Sequence, residues 1–148
     1  MSWKILRPQL KTLLDTIGTI QEVSKAPKIK FNGYPAAHVT PSENSNEYET
    51  TSENIRTYAF TIRIFYDTKQ TAIEDALVGL EEVVDSVIDA FDKEDLKGSS
   101  TRKVGIGLPA GYTFLNIFAS PGVFGELTEE QLIMAEVSIK IRISIDIT

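Results

Sequence analysis

The sequence contains no cysteine and only one histidine among its 148 residues. Without cysteine, the chain can form neither a disulfide framework nor a thiolate metal site. The single histidine, His38, lies in a short predicted strand and lacks the nearby nucleophile and orienting acid that a catalytic triad requires. We therefore expect His38 to have a structural role or to lie on the surface.

Basic residues are also scarce. Lysine and arginine total 15 against 21 aspartates and glutamates, which gives a net charge of −6 and a pI of about 4.8. Tight binding of nucleic acid needs clustered lysine and arginine, so this composition disfavours it without excluding a protein that lets DNA slide past. Long apolar segments are missing too. No run approaches the roughly 20 residues of a membrane span, so we expect no membrane partner.

Catalytic motifs are missing as well. The segment Gly105 to Gly107 is similar to part of a phosphate-binding loop, but it lacks the third glycine and the Lys-Ser or Lys-Thr pair. A flexible turn is the better interpretation. No set of nucleophile, base or metal ligands is apparent, so we predict no enzymatic activity, no cofactor and no metal. A small enzyme or ligand-binding domain is the weakest of the alternatives considered.

What the sequence does contain is a strong alternation in its last stretch, Glu136 to Thr148. Every odd position there is apolar and every even position is polar. A strand places successive side chains on opposite faces, so this pattern predicts a long strand with one buried and one exposed face. The apolar residues are β-branched, which suits a pleated surface. They are Val137, Ile139, Ile141, Ile143, Ile145 and Ile147.

Near the start of the chain, leucines at helical spacing predict a first helix. It begins near Leu6 or Arg7, because Pro8 is comfortable only in the first turn of a helix. It ends at Gly18, since glycine is favourable just beyond a helix end. The residues before Pro8 are interpreted as an extended arm that carries Trp3.

A second helix and further strands follow from the same periodicities. Apolar residues at helical spacing predict an amphipathic helix from Ala72 to Phe91, with its acidic residues facing water. Shorter β-rich stretches predict strands at Thr19–Val23, Pro35–Thr40, Ile55–Tyr66 and Tyr112–Ser120. Pro121-Gly122 is typical of a turn. The order of elements indicates an α+β fold in one domain of residues 1–148, with a mixed, mostly antiparallel β-sheet and two helices packed on one face.

The apolar stripes of these strands and of the second helix define the predicted core. Their periods place them on surfaces that face one another, so their members should be mostly buried. The residues expected in the core are Ile62, Ile64, Leu77, Leu80, Val84, Val87, Ile141 and Ile143.

Two polar segments are left unexplained by this core. Ser42 to Asn54 contains no aliphatic residue and is interpreted as a long exposed loop or a hairpin tip, while Ser99 to Gly111 is small, polar and glycine-rich. We expect both to be mobile or to project from the free protein, and at least one of them to become ordered against a partner protein. The interface residues predicted there are Tyr48, Glu49, Glu53, Arg102 and Lys103.

The order of elements resembles the phage tail terminator family, also called tail completion or minor tail U-like proteins. The resemblance lies in the short N-terminal helix, the strand from Gly33 to Val39, the polar loop, the strand from Tyr58 to Ile64, the acidic helix and the alternating terminal strand. It covers nearly the whole chain and includes no catalytic motif.

This resemblance implies a structural virion protein. Such proteins form a hexameric ring that caps the head-proximal end of the tail tube, stops its polymerisation and joins it to the head connector while DNA passes through. The implied partners are other copies of the chain, the tail tube protein and the head–tail connector protein, with transient passage of DNA and no specific binding to it. The implied location is the neck of the virion tail, after synthesis in the host cytoplasm. A head–tail connector or stopper protein is the alternative within the virion.

Overall fold

The structure, a computed structural model, describes residues 2–24, 31, 33–48, 53–69, 72–97, 101–127 and 131–146. Within these ranges, the elements in chain order are α1 (Ser2–Asp15), β1 (Glu22–Ser24), β2 (Ala36–Tyr48), β3 (Glu53–Asp67), α2 (Ile73–Asp95), β4 (Tyr112–Leu127) and β5 (Leu132–Asp146). The predicted α+β fold is confirmed.

The strands form one sheet in the order β1-β2-β3-β5-β4. The long strands pair antiparallel, β2 with β3, β3 with β5 and β5 with β4, whereas the short β1 lies parallel to β2. The sheet is therefore mixed and mostly antiparallel, as predicted. β5, the strand with the strongest alternation, lies between β3 and β4 and pairs with both along most of its length.

The core lies between one face of this sheet and both helices. Ile139 and Ile141 of β5 are fully buried there, whereas Lys140 on the opposite face is exposed. α1 contributes a stripe of buried leucines and α2 contributes a stripe rich in valine. Burial of one such aliphatic side chain stabilises the fold by about 1.5–3 kcal/mol. Both helices thus cover the same face, as predicted.

One predicted core residue is not buried. Leu77 is 40% exposed, while the other predicted core residues are all buried. Leu77 lies in the second turn of α2, where Ile73 on the same stripe is 54% exposed. The apolar stripe of α2 therefore begins before the helix reaches the covered part of the core.

α1 begins earlier than predicted. Its backbone is helical from Ser2, so the residues before Pro8 are not an extended arm, and Pro8 lies inside the helix. Proline at this position removes one backbone hydrogen bond from the helix and costs about 3 kcal/mol. Leu6 and Leu10 on either side are fully buried, and their burial offsets this cost.

α1 also ends before Gly18, with Asp15 as its last residue. The N–H groups of Thr16 and Ile17 each donate to the carbonyl three residues back, at 3.1 and 3.0 Å. This tightened turn satisfies carbonyls that a helix end leaves free, so the helix ends without a left-handed glycine.

The polar segment Ser42 to Asn54 continues a β-hairpin and is not an open loop. β2 extends to Tyr48, β3 begins at Glu53, and the two strands pair on both sides of an irregularity between Pro41 and Asn44. The ladder hydrogen bonds satisfy the backbone here without aliphatic side chains. Of the two interpretations, the hairpin is therefore correct. The residues between the two strands lie outside the described part of the chain.

Pro121-Gly122 lies within β4 and does not form the predicted turn. β4 pairs with β5 on both sides of a β-bulge between Pro121 and Phe124. A bulge in an edge strand accepts proline, which has no N–H to donate. A Cβ at Gly122 would lie 3.0 Å from the carbonyl oxygen of Glu136, so the glycine permits a close approach of the two strands. The following residues form a bulged hairpin with β5.

Candidate interaction surfaces

The sheet face opposite the helices carries mainly polar side chains. Arg63 of β3 and Glu136 of β5 form an ion pair on it, with Nε 3.1 Å from Oε1. Lys140 and Arg142 of β5 lie on the same face and add two positive charges. Because the Arg63–Glu136 pair is partly exposed, it contributes little stability. We call this surface the mixed-charge face.

The outward side of α2 is strongly acidic, and it lies on the other side of the subunit. Its exposed carboxylates run along the whole helix, as predicted from the sequence. Such a surface repels phosphate groups. The exposed acidic residues are Glu74, Asp75, Glu81, Glu82, Asp85, Asp89 and Asp92.

The predicted interface residues Arg102 and Lys103 lie beyond the C-terminal end of α2. Nη2 of Arg102 donates to the carbonyl of Lys97 at 2.7 Å and to that of Asp95 at 3.4 Å. The guanidinium also lies 4.0 Å from the ring centroid of Phe114. Arg102 therefore satisfies carbonyls at a helix end within its own subunit. Lys103 is exposed, and an interface role for either residue remains a prediction.

Glu94 is fully buried and holds the same segment. Its Oε1 accepts hydrogen bonds from the N–H groups of Lys103 and Val104, the latter at 3.0 Å, and its Oε2 accepts one from Nζ of Lys97 at 3.0 Å. Burial alone would raise the pKa of Glu94, but the hydrogen bonds from Val104, Lys97 and Lys103 outweigh it and hold the pKa below its ordinary value. The ionised carboxylate is therefore favoured, and its hydrogen bonds stabilise the fold of its own subunit.

A second anchor comes from α1. Nε2 of Gln9 donates to the carbonyl of Ile106 at 2.6 Å, and Oε1 of Gln9 accepts from the N–H of Gly105 at 2.7 Å. Residues 101–111 are thus held by both helices, and we call them the anchored segment. This differs from the expectation that the whole of Ser99 to Gly111 projects from the subunit.

The hairpin and the anchored segment meet at one end of the sheet. Glu53 of β3 is in register with Asp146 of β5, whose N–H donates to the carbonyl of Gly111 at 2.8 Å. Tyr48, the last residue of β2, pairs with β3 one residue along from Glu53. Glu49 lies outside the described residues. The fold therefore brings the two predicted contact segments side by side.

Gly105 and Gly107 test how closely the anchored segment is packed. Both have left-handed backbones, with φ of +87° and +75°, but a Cβ at Gly105 would lie 2.4 Å from Cδ2 of Phe114, whereas one at Gly107 meets nothing within 4 Å. Gly107→Ala should lower the free energy of unfolding by about 1–2 kcal/mol through backbone strain. Gly105→Ala should lower it by about 1–3 kcal/mol more through overpacking. Denaturant unfolding of both variants measures the difference, and equal losses would contradict this packing.

His38 is buried in β2 on the side of the mixed-charge face, with 3% of its surface exposed. Its ring centroid lies 5.4 Å from that of Phe65, which Phe31 contacts in turn at 5.7 Å. Nδ1 of His38 has no hydrogen-bond partner among the described residues. Burial lowers the pKa of His38, and the positive charge of Arg63 on the neighbouring strand lowers it further. The lowered pKa favours the neutral imidazole, and its burial against Phe65 fits the structural one of the two expected roles.

The lowered pKa of His38 predicts a loss of stability at mildly acidic pH. When the pH falls below about 6.5, the unfolded chain binds a proton at this histidine before the folded chain does, so the free energy of unfolding decreases. His38→Phe removes this titration and keeps an aromatic ring beside Phe65. We expect the parent protein to lose more stability between pH 7.5 and 5.5 than this variant does. Denaturant midpoints across that range measure it, and parallel curves would refute the prediction.

Some large apolar side chains are exposed, and the sequence patterns did not identify them as a surface. Leu77 and Ile73 of α2 line a groove together with Phe124 of β4, which is 43% exposed. Further along β4, Phe118 and Val123 are 43% and 66% exposed. The sequence feature that could have indicated this exposed apolar surface is composition, because the stretch from Tyr112 to Leu127 holds many apolar residues and few charges.

Two negative findings concern the described part of the chain. It contains no group of three or more histidine, aspartate or glutamate residues placed to hold a metal ion. None of its helices is both long and apolar enough to cross a membrane.

Comparison with known proteins adds a structural relationship. No family model and no curated protein matches the sequence. Among solved structures, the chain is similar to a chain of one described as "Virion of native gene transfer agent (GTA) particle". The two chains share a fold. Their TM-score is 0.58 at 14% sequence identity, and the alignment covers 97% of this chain and 95% of that chain.

Proposed function

We propose that this protein is a structural virion protein that acts as a phage tail terminator. It forms a hexameric ring on the head-proximal end of the tail tube, stops polymerisation of the tube and joins it to the head connector. The observation that carries this proposal is the similarity to a chain of a GTA virion particle over nearly the full length of both chains. Among virion roles, we favour the terminator because the order of elements resembles that family.

The surfaces of the subunit fit this role. DNA that passes through a ring must not be held, and the net charge of −6 and the acidic side of α2 favour repulsion of phosphate. Contacts to the tail tube protein and the connector are assigned to the sheet end where the hairpin and the anchored segment meet. In a closed ring, several weak contacts of this kind act together, so that avidity replaces individual affinity.

The proposal includes the absence of catalysis. His38 is buried and packs against Phe65, so its ring cannot serve as a solvent-accessible base without a rearrangement. The carboxylates of α2 lie on an exposed helix side, where they are solvated. A hydrolase or nuclease activity that His38→Ala abolishes would overturn this part of the proposal.

Electron microscopy of the purified protein, alone and mixed with assembled tail tubes, tests the terminator role. We expect rings with a channel wide enough for duplex DNA, bound to one end of each tube. Added to polymerising tube protein, the rings should also limit tube length, whereas an equal amount of an unrelated acidic protein should not.

The other outcomes of this experiment are equally informative. Rings that bind the head connector but neither bind nor shorten tubes would identify a connector or stopper protein instead. A protein that stays monomeric, alone and with tubes, and that shows a deep ligand pocket would overturn the virion proposal.

A further inference from the structure

The groove between α2 and β4 brings several exposed apolar side chains together. Its walls are formed by Ile73 and Leu77 of α2 and by Phe124 of β4, all of which are exposed, and its floor is formed by the buried Leu80 and Ile133. Single exposed apolar residues are common on protein surfaces, but several that converge in one groove are typical of an interaction site. We call this surface the apolar groove.

The rim of the apolar groove is acidic. Glu126 of β4 is the one charged side chain among the described residues that line it. Glu74 and Glu81 lie three residues before and four residues after Leu77, so the helix places both beside the groove. All three carboxylates are exposed, and none forms an ion pair with another described residue. An occupant that fits this groove therefore combines an apolar side chain with positive charges.

The mixed-charge face of the same chain carries such a combination. Phe118 of β4 is exposed on this face and is directly opposite Lys140 of β5 in the register of the two strands. Arg142 lies two residues further along β5 on the same face and is a diagonal neighbour that long side chains can reach. Within the described part of the chain, neither cation forms an ion pair. We call Phe118, Lys140 and Arg142 the Phe118 patch.

The surroundings of the Phe118 patch leave its positive charge uncompensated. Glu136, four residues before Lys140 on the same face, is already paired with Arg63. The other residues in the sheet rows on either side of Phe118 are uncharged. They are Asn116, Ser120, Thr57, Thr61 and Ser138. Because the patch is positive and the rim of the groove is negative, contact between these unlike surfaces is favoured, whereas two like surfaces repel each other.

The two surfaces lie on opposite sides of the sheet. Phe124 lines the groove beside α2, so it lies on the helix side, whereas Phe118 lies on the side away from the helices. One subunit can therefore use both surfaces at once, each with a different neighbour. A contact between two different surfaces is head to tail, and it forms a closed ring when the rotation between neighbours divides a full turn.

We propose that the Phe118 patch of one copy docks in the apolar groove of a second copy. The ring of Phe118 enters the groove between Leu77 and Phe124, and Lys140 and Arg142 face the acidic rim. This inference rests on the ring assembly of the proposed function and gives that ring its subunit contact. The aromatic anchor supplies most of the affinity, while the charges fix the orientation and oppose contacts between like surfaces.

Charge reversal on either surface tests the docking in the full-length protein. The patch variant carries Lys140→Glu and Arg142→Glu, and the groove variant carries Glu74→Lys and Glu126→Lys. Each should weaken its own self-association by at least about tenfold, because like charges then meet. Mixed in equal amounts, the two variants should associate again, because every contact of an alternating ring then joins opposite charges. Sedimentation velocity and electron microscopy, with and without assembled tail tubes, measure association.

Matched controls separate the local charges from the net charge. Lys4→Glu with Lys93→Glu changes the net charge as the patch variant does, and Asp89→Lys with Asp92→Lys changes it as the groove variant does. These four residues are exposed and lie outside both surfaces, so both controls should assemble like the parent. All variants alter exposed or partly exposed side chains and should melt close to the parent, which separates loss of assembly from loss of folding.

Cysteine cross-linking locates the contact on a clean background, because the natural chain has no cysteine. Phe118→Cys protein is mixed with Leu77→Cys protein and treated with a short bismaleimide. We expect a cross-linked dimer in high yield. Leu96→Cys is the matched control, because it makes the same chemical change at an exposed position near the other end of α2, far from the groove. It should not link to Phe118→Cys protein.

The outcomes separate the docking from the ring itself. Efficient self-linking of Phe118→Cys protein would indicate contact between two like patches and overturn the head-to-tail docking. Rings that form equally well from the parent and from both charge variants, without the Phe118–Leu77 cross-link, would overturn the docking and leave the proposed function standing. A groove variant that forms rings but no longer binds tubes would assign the groove to the tube protein instead. A parent chain that remains monomeric and unlinked, alone and on tail tubes, would overturn both.

Discussion

Ile141→Asp should lower the free energy of unfolding by at least about 4 kcal/mol, a loss that a domain of this size can hardly tolerate. Ile141 is fully buried at the centre of β5, in register with Tyr58 of β3 on one side and Ile117 of β4 on the other. Both neighbours are buried as well. An aspartate there either keeps its charge without compensation or takes up a proton at a raised pKa, and each alternative favours the unfolded chain.

The control for this prediction lies on the same strand. Ser138→Asp introduces the same charge on the mixed-charge face, where water reaches the side chain, and should change stability by no more than about 0.5 kcal/mol. Thermal and denaturant unfolding of both variants provide the comparison. If Ile141→Asp protein melts like the parent, the odd-numbered side of β5 is not the core and the assignment of the two faces is wrong.

Periodicity correctly predicted those elements in which a single pattern of apolar and polar side chains determines the secondary structure. The alternation in β5 and the apolar stripe of α2 each define a buried face without reference to any other segment. Both elements were predicted, although β5 begins four residues before Glu136 and α2 ends four residues after Phe91. The long β3 was found for the same reason, because Tyr58, Phe60, Ile62 and Ile64 alternate with smaller or polar residues.

The parts that were missed or left open depend on neighbours that a local pattern does not reveal. The sequence left Ser42 to Asn54 open between a loop and a hairpin tip because it has no aliphatic residue, yet pairing with β3 holds the backbone of Asn44–Tyr48. Pro121 suggested a turn, but β5 continues beside β4 and a bulge accommodates the proline. Pro8 suggested a helix start, but the buried leucines of α1 extend the helix through it.

The candidate contact residues also depend on neighbours that a local sequence pattern does not reveal. Arg102 was selected because arginine is enriched at interfaces. In the structure, it donates a hydrogen bond to the carbonyl of Lys97 just beyond α2 and contacts Phe114. Glu94 was not selected at all. Its position three residues after Phe91 places it on the buried stripe of the helix, and an acid at such a position was the available signal.

Glu94 carries the second large expected effect, because removing its side chain leaves one buried donor and two partly buried donors without this acceptor. The N–H groups of Lys103 and Val104 both donate to Oε1, and Nζ of Lys97 donates to Oε2. An unsatisfied buried donor costs about 1–3 kcal/mol. Glu94→Ala should therefore lower the free energy of unfolding by roughly 3–5 kcal/mol.

Glu94→Gln is the matched control, since its amide oxygen can still accept from both N–H groups while the ion pair with Lys97 is lost. We expect it to cost less than Glu94→Ala. Lys97 is partly exposed, so loss of that pair alone should contribute only a modest share. If the two variants are equally destabilised, the N–H acceptor role assigned to Oε1 is wrong, and the ion pair or the packing of the side chain accounts for the effect.

The pH dependence of these variants provides an independent check. The pKa of Glu94 is lower in the folded chain than in the unfolded chain, so its contribution is complete above the ordinary glutamate pKa of about 4.3 and is lost as the pH falls through the folded value. The parent should therefore lose stability more steeply than Glu94→Gln protein as the pH falls below about 4.3. Stability curves of parent and Glu94→Gln protein that run parallel through this range would show that the carboxylate is not held ionised by its three donors.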